Sequence, residues 1–252
     1  MEFKLNNQIA KRSNKSVYAE DGKLIKLFVE GHPASYIFNE ALNQSRVEEY
    51  TDLNVPKLQV VTKINNCWAL VSDFAEGNSL ESLMKQNPEK FDEYLNLFIK
   101  IQLDVLSKQV PLLNRIKDKF KRKLNDANID ENTRYELLHR LEGMKNHTKL
   151  CHGDFNPSNV IIKDNGEYTI IDWAHATQGN ASADCARTYL WFVLQGKQDV
   201  AEQYLTEFSK ISEINKNYIQ EWIPIVAAEQ LSNCNAEEQA VLVKLIDIAD
   251  YQ

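Results

Sequence analysis

The chain has 252 residues, 43% of them hydrophobic and 26% charged, and carries a formal net charge of −7. This composition is typical of a globular protein with a sizeable buried core and argues against disorder. No strongly basic patch stands out, so nucleic acid is not an expected partner. No apolar run approaches the length of a membrane span and the start lacks a signal-peptide core, so we expect no membrane association and a cytoplasmic location. The four cysteines lie too far apart for the usual zinc spacings, which predicts free thiols at Cys67, Cys151, Cys185 and Cys234.

The N-terminal residues predict a β-hairpin. Residues 16–19 and 23–28 are short runs of strand-forming residues, and Asp21 and Gly22 between them favour a tight turn. Lys26 lies in the second run with apolar neighbours on both sides. Its ammonium must point into a cleft to be paired or solvated, which makes Lys26 a candidate phosphate ligand. A lysine of an edge strand that faces water is the alternative.

A helix is predicted over residues 36–49. Ile37, Ala41 and Leu42 recur there at helical spacing, and Glu40 lies in the first half. The helix therefore places a carboxylate shortly after the strand that carries Lys26.

Two further strands are predicted at residues 57–63 and 67–73, around a turn at 64–66. The second of these runs passes from a buried strand into a loop that ends at Gly77. Most of the remaining chain shows helical spacing of its apolar residues. Helices are predicted at residues 80–85, 91–107, 115–125, 131–145, 187–194, 200–210 and 218–231.

The most specific pattern lies between these helices. Residues 151–162 read Cys-His-Gly-Asp-Phe-Asn-Pro-Ser-Asn-Val-Ile-Ile, with Asp154 and Asn159 at the two ends of one turn. A β-hairpin with an Asp-Asn-Gly turn is predicted to follow, and its second strand leads to Asp172. The strands of this hairpin are residues 160–162 and 168–171.

Phosphoryl transfer explains this spacing. Moving a γ-phosphoryl group needs a carboxylate that accepts the proton of the attacking hydroxyl, and oxygen ligands that hold Mg²⁺ against the phosphates. Asp154 fits the first role, and Asn159 and Asp172, which the hairpin brings together, fit the second. An isolated loop aspartate is more often a turn or cap residue, but the joint pattern is hard to attribute to chance.

The pattern resembles the aminoglycoside phosphotransferase and choline kinase family. The resemblance is carried by residues 152–159, by Ile171-Asp172-Trp173, and further on by Gly179 and Asp184-Cys185-Ala186. It implies an α+β, bilobal, protein-kinase-like fold. Residues 1–75 would form an N-terminal nucleotide-binding lobe, a small antiparallel β-sheet with one helix. Residues 76–252 would form a larger, mostly helical lobe for catalysis and acceptor binding.

The resemblance also implies roles for the residues around the turn. Asp154 would be the catalytic base, and Asn159 and Asp172 would be the Mg²⁺ ligands. His152 would orient the catalytic loop, and Asp184 would support that loop by hydrogen bonds.

On the nucleotide side, the resemblance implies that Glu40 pairs with Lys26 and holds it on the α- and β-phosphates of ATP. The turn with Ser13 and Asn14 would approach the phosphates, and the hinge would offer the backbone of residues 73 and 75 to the adenine. The implied ATP-binding residues are Lys26, Glu40, Ser13, Asn14, Asp73 and Ala75.

Two positions depart from the family pattern. Asn156 stands where many members have histidine, although this position is neither a base nor a metal ligand in the family. Residues 11–16 contain no glycine where protein kinases have a glycine-rich loop. Phosphate contacts there would depend on backbone N–H groups and a serine hydroxyl, which is a weaker signal than a Walker loop.

The acceptor side is less patterned. From Ala174 onward the chain has 11 acidic residues against 5 lysines and arginines. This surplus could attract a cationic acceptor, or it could belong to solvated helix faces. Trp191 and Trp222 could stack on a sugar or hold a quaternary ammonium, with Glu229 pairing an amine, but aromatic residues at this density usually fill a core.

The residues therefore favour an ATP- and Mg²⁺-dependent kinase that phosphorylates a hydroxyl of a small molecule, such as an aminoglycoside, choline or an amino alcohol. A protein kinase is disfavoured, because the 12 positions from Asp172 to Asp184 are too few for an activation segment and a peptide-docking platform. A nucleotide-binding regulatory protein of the same fold without catalysis is the remaining alternative.

Overall fold

The computed structural model of the chain describes residues 3–246 and divides them into two compact units. The first unit runs to Pro88 and includes Pro157–His175. The second comprises Glu89–Asn156 and the chain from Ala176 onward. The lobe boundary expected between residues 75 and 76 stays a prediction.

The first unit is built on a five-stranded antiparallel sheet and one long helix. The strands are β1 (Gln8–Lys11), β2 (Lys15–Glu20), β3 (Lys23–Phe28), β4 (Leu58–Ile64) and β5 (Cys67–Asp73), and the helix is α1 (Ala34–Tyr50). The strand order is β1-β2-β3-β5-β4, so β3 is central rather than an edge strand. This placement excludes the alternative of a water-facing lysine at position 26.

Two tight turns set the register of this sheet. Asp21 and Gly22 between β2 and β3 have φ values of 48° and 72°, and Asn65 and Asn66 between β4 and β5 have 49° and 66°. Positive φ at both central residues is the signature of hairpin turns that match the strand twist, and it favours Asn, Asp and Gly. Phe28, Ile37, Ala41 and Leu70 then pack between sheet and helix.

A smaller three-stranded sheet completes the first unit. Its strands are β6 (Asn78–Ser79), β8 (Val160–Ile162) and β9 (Tyr168–Ile170), and helix α2 (Leu80–Gln86) follows β6. Gly77 precedes β6 with φ 127°, and a Cβ at this position would lie 2.3 Å from the carbonyl oxygen of Ile162. Only glycine permits this approach of the two backbones.

The second unit is mostly helical. Its helices are α3 (Phe91–Ser107), α4 (Ile116–Asp126), α5 (Glu131–Gly143), α6 (Ala181–Leu194), α7 (Gln198–Ser212), α8 (Lys216–Gln220), α9 (Ile223–Gln230) and α10 (Ala236–Ile246), and strands β7 (Lys149–Cys151) and β10 (Thr177–Gly179) form a two-stranded antiparallel sheet. Fully buried aromatic rings form its core, with Phe98 stacked on Phe155 at 4.8 Å and tilted against Tyr204 at 6.0 Å. The combination of the two units confirms the α+β, kinase-like fold class expected from the sequence.

Several element boundaries differ from the sequence expectations for local reasons. Helix α6 begins at Ala181 instead of residue 187, because the Asn180 side chain caps it by accepting from the Ser182 N–H. The single helix expected over 218–231 is broken after Gln220, since Pro224 has no N–H to continue the helical hydrogen bonds. Leu42, assigned to the apolar face of α1, is 48% exposed.

The thiols and the lengths of the apolar helices can be compared with the sequence. All four cysteines are free thiols. Within residues 3–246, no helix is long and apolar enough to cross a bilayer. Two of the acidic residues counted in the C-terminal part, Asp247 and Asp250, lie outside the described residues.

Candidate functional site

Lys26 is buried between two carboxylates of the first unit. Its ammonium donates to Glu40 Oε1 at 2.5 Å and to Asp172 Oδ1 at 2.9 Å. Only 9% of the Lys26 side chain and 6% of the Glu40 side chain are exposed, whereas Asp172 is 33% exposed. Burial acts to lower the pKa of Lys26, but the carboxylates of Asp172 and Glu40 outweigh it and raise the pKa well above its ordinary value. Lys26 therefore stays charged at any physiological pH.

The first unit supplies each partner from a different element. Lys26 lies on β3 opposite Val17 and Leu70, and Glu40 lies on the buried face of α1. The same face of α1 carries Asn43, whose side-chain amide donates to the Ala174 carbonyl at 3.2 Å. The helix is thereby fixed to the segment directly after Asp172.

Asn159 and Asp172 lie at adjacent ends of β8 and β9. Val160 pairs with Ile170 in this hairpin, and the Ile171 N–H donates to the Asn159 carbonyl at 3.0 Å. Asp172 has φ 65°, a left-handed conformation that a short polar residue tolerates and that is characteristic of functional turns. The hairpin predicted from the sequence thus brings the two expected metal ligands together.

The donor chemistry of this pair fits Mg²⁺. A carboxylate and an amide supply hard oxygen donors, and Mg²⁺ takes few protein ligands because it keeps waters and binds substrate phosphates. Among the described residues, no group of three or more His, Cys, Asp and Glu side chains forms a closed metal cage. Asn159 and Asp172 would hold the ion.

The other predicted nucleotide contacts lie in a turn between strands and at the end of a strand of the five-stranded sheet. Ser13 and Asn14 form the exposed tip between β1 and β2, where the Arg12 N–H donates to Lys15. The Asp73 carboxylate is occupied by Lys23 at 2.6 Å. The backbone N–H of Ala75 donates no hydrogen bond to any described residue, as expected of a group that would face a ligand.

The loop over residues 152–156, the predicted catalytic loop, is held by two hydrogen bonds from backbone N–H groups to side chains. Asp184 Oδ1 accepts from the Gly153 N–H at 2.7 Å, and His152 Nδ1 accepts from the Asp154 N–H at 3.2 Å. Gly153 has φ 78°, which turns the chain sharply between the two contacts. Asn156, the departure from histidine, donates its side-chain amide to the Asp154 carbonyl at 3.0 Å. His152 and Asp184 each accept a hydrogen bond from this loop, and their orienting and supporting roles stay predictions.

Asp184 is almost fully buried, and this changes its acidity. Burial raises the pKa of its carboxyl, while the nearby His152 and the Gly153 N–H oppose the rise. The hydrogen bond from the Gly153 N–H offsets only part of the cost of burying this carboxylate, so its pKa stays raised.

A buried polar network beneath this loop was not expected from the sequence. Thr188 donates its hydroxyl to the Phe155 carbonyl at 2.6 Å and accepts from the Gln102 amide at 3.1 Å. Gln102 in turn accepts from the Tyr204 hydroxyl at 2.6 Å. In the sequence, each of these residues is an ordinary polar or aromatic residue of a predicted helix. The network forms only because α3, α6 and α7 pack against one another.

The acceptor residues expected from the sequence have different surroundings. Trp222 is fully buried and packs edge-on against Phe120 at 6.3 Å, so it is a core residue. Trp191 is half-buried and packs against Phe192 at 5.1 Å. Glu229 is 3% exposed and its Oε2 accepts from Arg187 at 2.5 Å. The carboxylate expected to bind an amine of the acceptor is therefore already paired.

Arg187 is the charged residue that sequence reasoning missed. Burial acts to lower the pKa of Arg187, but the carboxylates of Glu229 and Asp154 outweigh it and the pKa is raised. Arg187 lies one turn after Asp184 on α6. In the sequence, this spacing of three positions was the signal that the two side chains share one face of a helix. Arg187 thus interacts electrostatically both with Asp154, the expected base, and with Glu229 near the end of α9.

Comparison with known proteins supports the family resemblance that the sequence motifs indicate. The model of the phosphotransferase enzyme family matches residues 103–216, a segment that includes Asp154, Asn159, Asp172 and Asp184. The resemblance to the aminoglycoside phosphotransferase and choline kinase family is confirmed. No curated protein sequence gives a significant match.

Solved structures of this family share the fold across nearly the whole chain. A thermostable mutant of aminoglycoside phosphotransferase APH(4)-Ia is 12% identical with a TM-score of 0.70, and 95% of this chain and 92% of that chain are covered. Its ternary complex with ADP and hygromycin B is 14% identical with a TM-score of 0.68, covering 95% and 91%. Choline kinase LicA from Streptococcus pneumoniae is 14% identical with a TM-score of 0.66, covering 95% and 91%. At these identities the phosphotransferase likeness is one of fold.

Proposed function

We propose that this protein is an ATP- and Mg²⁺-dependent phosphotransferase that phosphorylates a hydroxyl of a small molecule. The observation that carries the proposal is the buried Lys26, which contacts both Glu40 and Asp172. A buried lysine held by a helix carboxylate is the arrangement that positions nucleotide phosphates in kinase-like enzymes. The family match over residues 103–216 supports phosphoryl transfer as the general activity.

The proposed roles follow the contacts. Lys26, positioned by Glu40, would contact the nucleotide phosphates. Asn159 and Asp172 would hold Mg²⁺, which when bound neutralises charge on the phosphates. Asp154, five positions before Asn159, would accept the proton of the acceptor hydroxyl.

For the acceptor, we propose a class of small molecules and not one compound. Structural neighbours include a complex with hygromycin B and a choline kinase, so a hydroxylated small molecule of the aminoglycoside, choline or amino alcohol kind is the starting point. Glu229 is paired with Arg187, so a cationic acceptor would depend on other carboxylates of the C-terminal part of the chain.

A transfer assay tests the proposal. Purified protein with ATP and Mg²⁺ is incubated with a panel of aminoglycosides, choline, amino alcohols and sugars, and phosphorylated products are detected by mass spectrometry. Asp154→Ala should lower turnover by roughly 10²–10⁴, the usual contribution of a positioned base, while calorimetry shows retained nucleotide binding. Nucleotide binding without transfer to any acceptor would instead support the regulatory alternative. Unchanged turnover of Asp154→Ala would remove Asp154 from its role.

A further inference from the structure

The second unit contains a large cavity that none of the proposed catalytic residues lines. Its volume is about 480 Å³, within the range of small-molecule sites. The walls come from the start of α4, the end of α5, the segment 145–148 and the turn 178–180 that leads into α6. Trp222 from the core completes the wall.

The charged side chains around this cavity are mainly cationic. Four of them are lysine or arginine against two carboxylates, Asp118 and Glu142. The cations are Arg115, Lys117, Lys121 and Lys145. The chain as a whole has a net charge of −7, so this cluster departs from the average surface.

Much of this positive charge has no carboxylate partner nearby. Arg115 and Lys145 make no side-chain ion pair or hydrogen bond with any residue in the range 3–246. The Lys117 ammonium donates to the carbonyls of Glu142 and Met144, which carry no net charge. Lys121 reaches Glu142 only at 3.7 Å, and both side chains are largely exposed.

The tryptophan in the cavity wall carries a buried donor. The indole N–H of Trp222 is fully buried, and within the described part of the chain it has no hydrogen-bond partner. Buried N–H groups are almost always paired, and an unpaired one costs about 1–3 kcal/mol. Trp222 lines the cavity, but its indole N–H has no accessible surface, so the ring can report a bound ligand by proximity and does not itself supply a hydrogen bond to it.

The histidine at the cavity rim is exposed and has a lowered pKa. Partial desolvation first, and then the charges of Lys149 and Lys145, lower the pKa of His147. The neutral form of His147 is thereby favoured, and the permanent positive charge of the cavity comes from the lysines and Arg115.

We propose that this cavity is a second ligand site, which binds a small polyanion bearing phosphate or carboxylate groups. The lysine and arginine side chains that line the cavity are complementary to acceptor oxygens with negative charge. One side of the cavity wall, residues 145–148, continues through β7 into the loop with Asp154. The other side, residues 178–180, belongs to the end of β10, which pairs with β7, and leads into the start of α6 with Asp184. A ligand there would therefore contact the segments that frame the catalytic loop.

Nuclear magnetic resonance of the indole groups tests this directly, without nucleotide or transfer. The chain has four tryptophans, and Trp222→Phe assigns the Trp222 N–H signal by its loss. If that variant does not fold, Trp68→Phe and Trp191→Phe assign their own signals, and Asp172→Asn identifies the neighbouring Trp173. Titration with inorganic pyrophosphate, and in a second arm with citrate, should shift the Trp222 signal saturably, whereas choline should not.

Charge-matched variants locate the binding. Lys121→Gln combined with Lys145→Gln should weaken pyrophosphate binding by about tenfold or more. Lys85→Gln combined with Lys210→Gln removes two charges from side chains that are 63% and 75% exposed elsewhere, and should leave binding unchanged. An equal loss of pyrophosphate affinity in both double variants would show an effect of net charge alone and would overturn the proposed site.

Two other outcomes would also overturn the proposal. One is the lack of a saturable Trp222 shift with both anions. The other is a shift confined to Trp173, because that residue follows Asp172 and would report pyrophosphate at the proposed nucleotide site. That last outcome would leave the proposed phosphotransferase function intact, so the two proposals fail separately.

Discussion

Asp184 Oδ1 accepts a hydrogen bond from the backbone N–H of Gly153 at 2.7 Å, across 31 positions of the chain. This contact anchors the catalytic loop to α6. Because burial raises the pKa of Asp184, the folded state holds its proton more tightly than the unfolded chain does.

The stability of the protein should therefore depend on pH through Asp184. The contribution of this carboxyl is fully present below its ordinary pKa of 3.8 and is lost as the pH rises through the higher folded value. Against Asp184→Asn, which does not titrate, the wild type should lose stability progressively from pH 4 upward. Urea unfolding of both proteins between pH 4 and 8 measures the difference, and a constant difference would contradict it.

Thr188→Val should destabilise the second unit and the loop above it. The change removes the hydroxyl that donates to the buried Phe155 carbonyl, and an unpaired buried acceptor costs about 1–3 kcal/mol. Denaturant unfolding measures this loss. Thr206→Val, at an exposed position of α7, is the matched control and should stay close to wild type.

Lys26→Met should lower both stability and nucleotide affinity. It leaves the Glu40 carboxylate buried without its cation, and breaking a buried pair in this way costs about 3–5 kcal/mol. Adding Glu40→Gln should recover part of the stability but none of the nucleotide affinity. Thermal unfolding and calorimetry with ATP separate the two effects, and recovery of nucleotide binding in the double variant would argue against phosphate contact by Lys26.

Asn159→Ala and Asp172→Asn should raise the Mg²⁺ concentration needed for half-maximal transfer. Loss even of indirect partners of a metal typically costs about 10–100-fold in affinity, and loss of a ligand should cost no less. A Mg²⁺ titration at saturating ATP measures the shift. An unchanged Mg²⁺ requirement in both variants would mean that the metal is held elsewhere.

Gly77→Ala should be strongly destabilising. The added Cβ would lie 2.3 Å from the Ile162 carbonyl oxygen, and φ 127° is a strained conformation for alanine. Gly143→Ala is the control, since its Cβ would meet nothing within 4 Å. Melting temperatures of the two variants should diverge, and similar values would show that the β6–β8 contact yields easily.

The sequence predicts best what is encoded locally. The strand at 23–28 and the helix at 91–107 are confirmed to the residue, because the run of strand-forming residues in the first and the helical apolar spacing in the second are complete within each segment. Asp154, Asn159 and Asp172 could be singled out because they fall within 19 positions on one loop and one hairpin.

Contacts between distant helices could not be predicted in this way. Gln102 meets Thr188 across 86 positions, and Arg187 meets Glu229 across 42. No spacing rule connects such pairs, since their proximity depends on how α3, α6, α7 and α9 pack. Glu229 therefore read as an available carboxylate, and the cationic cavity beside α4 was not anticipated.

The ion pair between Lys26 and Asp172 would couple the binding of nucleotide to the binding of a divalent cation. A carboxylate that binds Lys26 at 2.9 Å is partly neutralised, and a phosphate that draws the ammonium toward itself restores its full negative charge. Nucleotide would thus increase the affinity for a divalent cation, and by linkage the cation must increase the affinity for nucleotide by the same factor. In the proposed mechanism, this ion pair would make nucleotide and cation bind cooperatively before the acceptor binds.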